Sequence, residues 1–488
     1  MTTEVKSSPP RGATVILALA AMAYALGQTA VIPGLHAMAQ SLHTSSETAS
    51  WILTGYLVAA AVLTPVMGRL GDMFGKRSML MVALVFFGAG GAVAAVAPSI
   101  WIVVAARVLQ GVGGGIFPLC FGIISDGFPP ERRPAALGLI SAIAGVGAGA
   151  GLLLGGLLID HASYHWIFWS STILAGLAIA GVRGLPGSGL RTPGKIDYAG
   201  SALLAVGITA PLIALTKTTQ WGWGSARTLG LFAAGLAVLV LFGLFERRVK
   251  EPLVNMAVFA RPTVLITNLA TLLSGFAMFG AFVLIPQLAE TPKVSGYGFG
   301  LSATGAALLL LPACLIMLAF GPLSGKLGLR FGARVPLIAG MLLSAAGLAL
   351  LAAGHASDGT VIGFTIVVFA GVGLALAAMP NLIVGAVPHF MTGETTGVNA
   401  LIRSLGSSIG SQVSVTLLAA GVTTAHPLPL NSAYTKAFAI GAGAAVIAGL
   451  AGLFIPPSSA AQVAAPPAGV APAGAAPAEP ERARRAAG

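Results

Sequence analysis

One pattern runs through this chain: stretches of about twenty apolar residues separated by short polar connections. A helix needs about that length to cross the hydrocarbon core of a bilayer, where every backbone N–H and C=O must be satisfied within the segment. Fourteen such stretches can be drawn, the first near 13–35 and the last near 434–456. Together they fill more than half of the 488 residues and leave no room for a soluble domain. Only 8% of residues are charged, against about a quarter in a soluble domain. Cys120 and Cys314 both fall inside apolar stretches, which argues against a disulfide framework. The chain reads as an all-α integral membrane protein with 14 transmembrane helices.

Lysine and arginine orient it. With a cytoplasmic N-terminus, twenty of the 26 basic residues fall in connections on the inner side and four (Lys217, Arg227, Lys293 and Lys436) on the outer. Two, Arg107 and Arg403, lie inside spans. The net charge of +12, which in a soluble protein would suggest a nucleic-acid partner, is here a topology signal with a two-charge remainder. No nucleic-acid partner is expected. Both termini are expected to be cytoplasmic, in a cell (inner) membrane. The tail 1–12 runs into the first span without a small-residue cleavage site and reads as retained, and the Pro/Ala-rich tail 457–488 is expected to be disordered.

The sequence also repeats itself. Residues 68–77 (GRLGDMFGKR) and 325–334 (GKLGLRFGAR) match at six of ten positions, after the second and the tenth spans. Gly111-Val112-Gly113 is echoed by Gly371-Val372-Gly373. Repeated halves are a transporter signature, with substrate sites expected near the midplane between them. The wide offset between the copies places an extra hairpin in the middle. The expected organisation is a six-helix half over 13–184, a linker with an inserted two-helix hairpin over 185–261, and a second six-helix half over 262–456.

Several residues carry chemistry against this apolar background. Gly68, Gly71 and Gly75 permit a tight turn and close helix approach. Asp72 can accept from the free amides at the next helix N-terminus, where the dipole favours an anion. Recurrence of the motif argues against an ordinary basic loop. Arg107 is a charge inside a span, hence a functional residue by default or a side chain that reaches back to the nearer interface. Glycines at spacing four, Gly147, Gly151 and Gly155 with Gly156, allow close packing in the fifth span.

These residues resemble signatures of the major facilitator superfamily. Gly68-x-Leu70-x-Asp72-x-x-Gly75-Lys76-Arg77 resembles its loop motif, Arg107-x-x-Gln110-Gly111 its fourth-span motif, and Gly147-x-x-x-Gly151-x-x-x-Gly155-Gly156 the antiporter motif of its exporters. Fourteen spans point to the drug:proton antiporter branch. The resemblance implies a conformational latch at Gly68, Asp72, Gly75, Lys76 and Arg77. It also implies a role for Arg107 in proton coupling or substrate handling, and a fifth-span glycine face packed against the opposite half. Two departures stand out: Leu152 replaces the usual proline after the second glycine, and the first span has no acid, reading Gly27-Gln28-Thr29.

With no acid at the middle of any span, the proton-coupling candidates beside Arg107 are Asp126 and Glu290, near span ends; Asp126 alternatively pairs with Arg132. Cavity candidates by depth are Gln28, Gln110, Asn268, Asn381 and Arg403, the last placed either in the cavity or at its cytoplasmic rim. No His, Cys or acid spacing suggests a metal, and the connections hold no Gly-Lys-Ser/Thr phosphate loop or nucleophile elbow. A non-enzymatic secondary transporter follows, with no cofactor and no obligate protein partner, moving a small molecule and protons across the bilayer. Export of an endogenous lipid or metabolite, or a transport-inactive sensor, are the alternatives. The unbalanced Arg107 and Arg403 favour a neutral or anionic substrate.

Overall fold

A computed structural model of the protein describes residues 12–185, 195, 197–422 and 428–456. The expected tails therefore lie outside the described residues, apart from Gly12. Every described element is helical. A first bundle contains α1 (Ala13–Thr29), α2 (Val31–Ser41), α3 (Ser46–Phe74), α4 (Lys76–Ala95), α5 (Ile100–Gln110), α6 (Ile116–Gly127), α7 (Arg133–His161) and α8 (His165–Val182). Next come α9 (Tyr198–Thr216), the single turn α10 (Thr218–Trp221), α11 (Ala226–Glu246) and the single turn α12 (Met256–Phe259). A second bundle contains α13 (Pro262–Glu290), α14 (Ala303–Phe331), α15 (Arg334–Ala353), α16 (Asp358–Ala386), α17 (Thr392–Ala420) and α18 (Asn431–Leu453).

Thirteen helical stretches among the described residues are long and apolar enough to cross a membrane. The remaining stretch expected to span, near 397–421, forms the 29-residue α17, whose Ser, Thr and Gly content and inward Asn399 and Arg403 make it too polar for that test. Buried apolar side chains gather within the first bundle and within the second. A smaller cluster on α9 and α11 packs against Ala61 of α3 and Val398 and Leu401 of α17.

Local chemistry explains the breaks. The expected first span divides at Ala30, because Pro33 has no N–H to offer the carbonyl four residues earlier. The expected fourth span is likewise not one helix: Gly111–Gly115 tightens into a 3-10 segment between α5 and α6. Gly75 and Gly332, at matched positions of the two motif copies, take positive φ (100° and 84°) and turn the chain between consecutive helices. Ser45, Ser225, Ser302 and Ser357 each cap a helix that starts at the end opposite those turns.

The fifth-span glycine face packs differently from expectation. Gly147, Gly151 and Gly155 lie against Ala25, Leu26, Thr29 and Ala30 of their own bundle, not against the opposite half. The Thr29 hydroxyl donates to the Ala148 carbonyl at 2.8 Å along this seam. A different face of α7 meets α14: Gly138 on Gly321, Gly145 on Met317 and Gly149 on Cys314. The reason is register, since spacing four selects one stripe of a helix, and the odd-numbered glycines of that stripe turn inward to α1. A Cβ on Gly155 would strike the Ala30 backbone, whereas one on Gly156 meets nothing within 4 Å. Gly155→Ala is therefore expected to lower stability by about 1–3 kcal/mol, and Gly156→Ala to leave it unchanged, read as thermal midpoints of the purified proteins.

Candidate functional site

The basic end of the molecule holds a contact between the bundles. Asp72, in the last turn of α3 and 2% exposed, accepts the Gly393 amide through Oδ1 at 3.2 Å and the Glu394 amide through Oδ2 at 2.9 Å. These are first-turn amides of α17, which have no intrahelical acceptor and carry the positive end of the helix dipole. The carboxylate thus caps a helix, but one in the second bundle and not the next helix in sequence. Contact at this distance requires backbone against backbone: a Cβ on Gly68 would collide with the Gly393 carbonyl, and one on Gly393 would meet the Gly68 oxygen at 2.6 Å.

Behind Asp72, Lys76 is 1% exposed and lies between two acids. Its Nζ is 2.8 Å from Asp126 Oδ2 and 3.4 Å from Asp72 Oδ1. Asp126 is thus paired with Lys76. Gly122 leaves the space through which the lysine stem runs. Arg77 turns away from this contact and donates to the Val182 and Arg183 carbonyls at the end of α8.

Glu394 extends the contact sideways. It is 2% exposed, sits 3.7 Å from Arg69 Nη1, and accepts the Asn255 amide at 2.6 Å. Glu394 precedes the apolar stretch near 397–421, so the expected span does not include it. The helix begins at Thr392, and the usable signal was an acid in a first turn, where the dipole favours one.

Arg107 does not reach back to an interface. Wholly buried, it donates to the Gly27 carbonyl at 3.0 Å, to Gln110 Oε1 at 2.9 Å and to the Ile52 carbonyl at 3.3 Å, with its guanidinium 3.9 Å over the Tyr56 ring. Gln110 in turn donates to the Phe87 carbonyl and to Ser171, so both side chains face the interior of the first bundle. Tyr56, Tyr24 and Phe117 continue from Arg107 with ring centroids 6.1 and 5.8 Å apart, and Arg403 stands 6.0 Å from Phe117. The two in-span arginines are thereby joined by a run of aromatic rings.

Arg403 opens onto a small cavity between the bundles, lined by Phe117 and Phe121 of α6, Met379 and Pro380 of α16, and Asn399. Asn399 also donates to Asn268 and Thr271, both at 2.8 Å, which places Asn268 behind the wall. Asn381 donates to the Pro134 carbonyl of the first bundle at 3.3 Å. Gln28 is half-buried on α1 and does not line this cavity. Glu290 lies exposed at the opposite end, where Thr304 of α14 donates to Asp160 of α7. The cavity thus gathers Arg403 alone of the expected set, together with aromatic residues that sequence depth did not mark.

A model of the Major Facilitator Superfamily matches residues 17–411. The chain is 32% identical over 417 residues to the tetracenomycin C resistance and export protein of Streptomyces glaucescens, covering 84% of this chain and 76% of that protein. It is 29% identical to the multidrug transporter protein MdtP of Bacillus subtilis, covering 76% and 68%, and 26% identical to the lincomycin resistance protein LmrB of the same organism, covering 83% and 85%. Among solved structures, the proton:xylose symporter XylE aligns with a TM-score of 0.63 at 16% identity over 91% of this chain and 96% of that one. The human organic anion transporter MFSD10 aligns at 0.63 and 15% over 91% and 99%.

The buried lysine gives a direct test of the contact. Lys76→Met leaves two acids facing each other without a cation and is expected to cost about 3–5 kcal/mol. Adding Asp126→Asn should restore part of that loss, because the two changes share one interaction. Thermal midpoints of the single and double variants check this, and simple additivity would contradict the pairing.

Proposed function

The chain belongs to the Major Facilitator Superfamily, and from that premise we propose that it is a secondary active transporter exporting amphiphilic drugs or antibiotics by alternating access, coupled to protons. In this reading α17 is the thirteenth of fourteen spans. Residues 13–184 and 262–456 are the two six-helix halves, the hairpin within 185–261 is inserted between them, and the basic end with both termini is cytoplasmic. The single observation that carries the reading is the Asp72 carboxylate on the α17 amides, a contact between the halves at one end of a cavity that lies between them.

That contact suits a latch. Two charge-assisted bonds at a helix N-terminus hold the cytoplasmic side closed, yet they involve one side chain and can part as a unit when the halves rock. Gly68 and Gly75 set the approach and the turn, Lys76 holds the carboxylate in place, and Arg77 fastens the motif to α8. Asp72→Asn is expected to slow export while substrate binding stays measurable; loss of binding would contradict the latch.

Substrate chemistry follows from the cavity wall. Arg403 has no acid paired with it among the described residues and lies beside Phe117 and Phe121, a setting for a planar aromatic compound that is anionic or neutral. Arg403→Ala is expected to weaken an anionic aromatic substrate by about tenfold to hundredfold, the worth of a charge-assisted hydrogen bond, and a neutral one much less. Efflux from proteoliposomes over a charged and neutral panel reads this, and dicationic dyes as best substrates would overturn it.

Proton coupling rests on Arg107, Asp126 and Glu290 as candidates. With a pH gradient, export should exceed that without one, and Asp126→Asn or Glu290→Gln should abolish substrate-dependent proton release. Gradient-independent export with both variants silent would make the protein a facilitator, a reading favoured by the missing acid of the first span.

A further inference from the structure

Away from the latch, a second pair of acids meets at the foot of the α9–α11 hairpin. Asp197 caps α9, its Oδ1 accepting the Gly200 amide at 2.7 Å. Glu246 ends α11, is 2% exposed, and accepts the Val254 amide through Oε2 at 3.3 Å. The remaining oxygens, Asp197 Oδ2 and Glu246 Oε1, are both buried and lack any hydrogen-bond donor among the described residues. Both crowd the single spot where a Cβ on Gly200 would sit, so the two unpartnered oxygens face each other.

Two ionised carboxylates do not rest side by side in a buried setting, because like charges there repel strongly. The gap needs something positive between two acceptors. A metal ion is a poor fit: Ca²⁺ or Mg²⁺ takes six or more oxygens, while only two point here, and no group of three metal-binding side chains exists among the described residues. Neither carboxyl forms an ion pair among the described residues. Arg247, Arg248 and Lys250, next along the chain, are exposed. From α17 the nearest charge is another acid, Glu394, itself beside Arg69 of α3. Glu251 of the following strap is taken by the Lys195 amide.

We propose that Asp197 and Glu246 form a proton-binding site, one proton held between the two carboxyl groups, whose occupancy is transmitted to the latch through the strap Val254–Asn255. The path is short and made of bonds on adjacent residues. Glu246 holds the Val254 amide, Glu394 holds the Asn255 amide, and Asp72 holds the Glu394 amide. Losing the proton places two charges at the foot of the hairpin, drives Glu246 off Val254, and slackens the strap that steadies Glu394. The site stands independently of the transport reading; only the meaning of the latch as a gate rests on it.

Infrared difference spectroscopy on the full chain in lipid nanodiscs, stepped through pH, reads the proton directly as a protonated-carboxyl C=O band. Asp197→Asn and Glu246→Gln should each remove the same band, because either amide can donate to the remaining carboxylate and keep the fold, while Asp72→Asn should leave it. A band that survives either change, or two different bands lost one to each variant, overturns the site. On the same samples, hydrogen exchange at Val254, Asn255 and Glu394 should quicken about tenfold across the pH at which the band disappears, with no such step in Glu246→Gln. Unchanged exchange through that transition overturns the link to the latch. Neither measurement involves export, so their failure and that of the transport reading are separable.

Discussion

At the basic end a carboxylate from one bundle supplies the missing acceptors of a helix in the other, and the surrounding residues are arranged to keep it there. Asp72 takes the first amides of α17. Because those amides have no acceptor in their own helix, the bond satisfies groups that burial would otherwise leave bare. It is reached only because Gly68 and Gly393 bring two backbones together without side chains between them. Lys76 then neutralises the buried acid and draws in Asp126, so four elements share one electrostatic arrangement.

The same cost of burying charge organises the rest of the interior. Arg107 has backbone carbonyls, Gln110 and a tyrosine face in place of an acid. Arg403 forms no ion pair among the described residues, lies beside the Phe117 ring and faces the cavity. The aromatic run from Tyr56 to Phe117 ties it to the other in-span arginine.

The internal repeat is kept in packing and broken in chemistry. Gly68 meets Gly393, and at the matched place Gly325 meets the Pro134–Ala135 backbone, so both copies of the motif approach the opposite bundle closely. Leu329 stands where the first copy has Asp72, and it is exposed. One of the two matched motif copies therefore carries a buried charge to the opposite bundle, while at the other the polar contact comes from outside the motif, Asn381 donating to the Pro134 carbonyl.

Much of the fold was legible in the chain itself. Length and spacing of apolar stretches dictated helices, because a bilayer permits no other open element, and the repeat and the glycine at each turn marked two related bundles. Arg107 and Arg403 were also readable as charges where charge is costly, and Asp72 and Lys76 as members of a repeated loop motif. What the sequence could not decide was which groups meet. Spacing marked Gly147, Gly151 and Gly155 as a packing stripe but not its partner, which is α1. Glu394 reaches a helix first turn only because α17 starts at Thr392, ahead of its apolar stretch, and Asp197 and Glu246, far apart in sequence, meet only in the fold. Periodicity along one helix determines a face; only the packing of several helices determines what that face touches, and the energy of a buried charge depends wholly on what it touches.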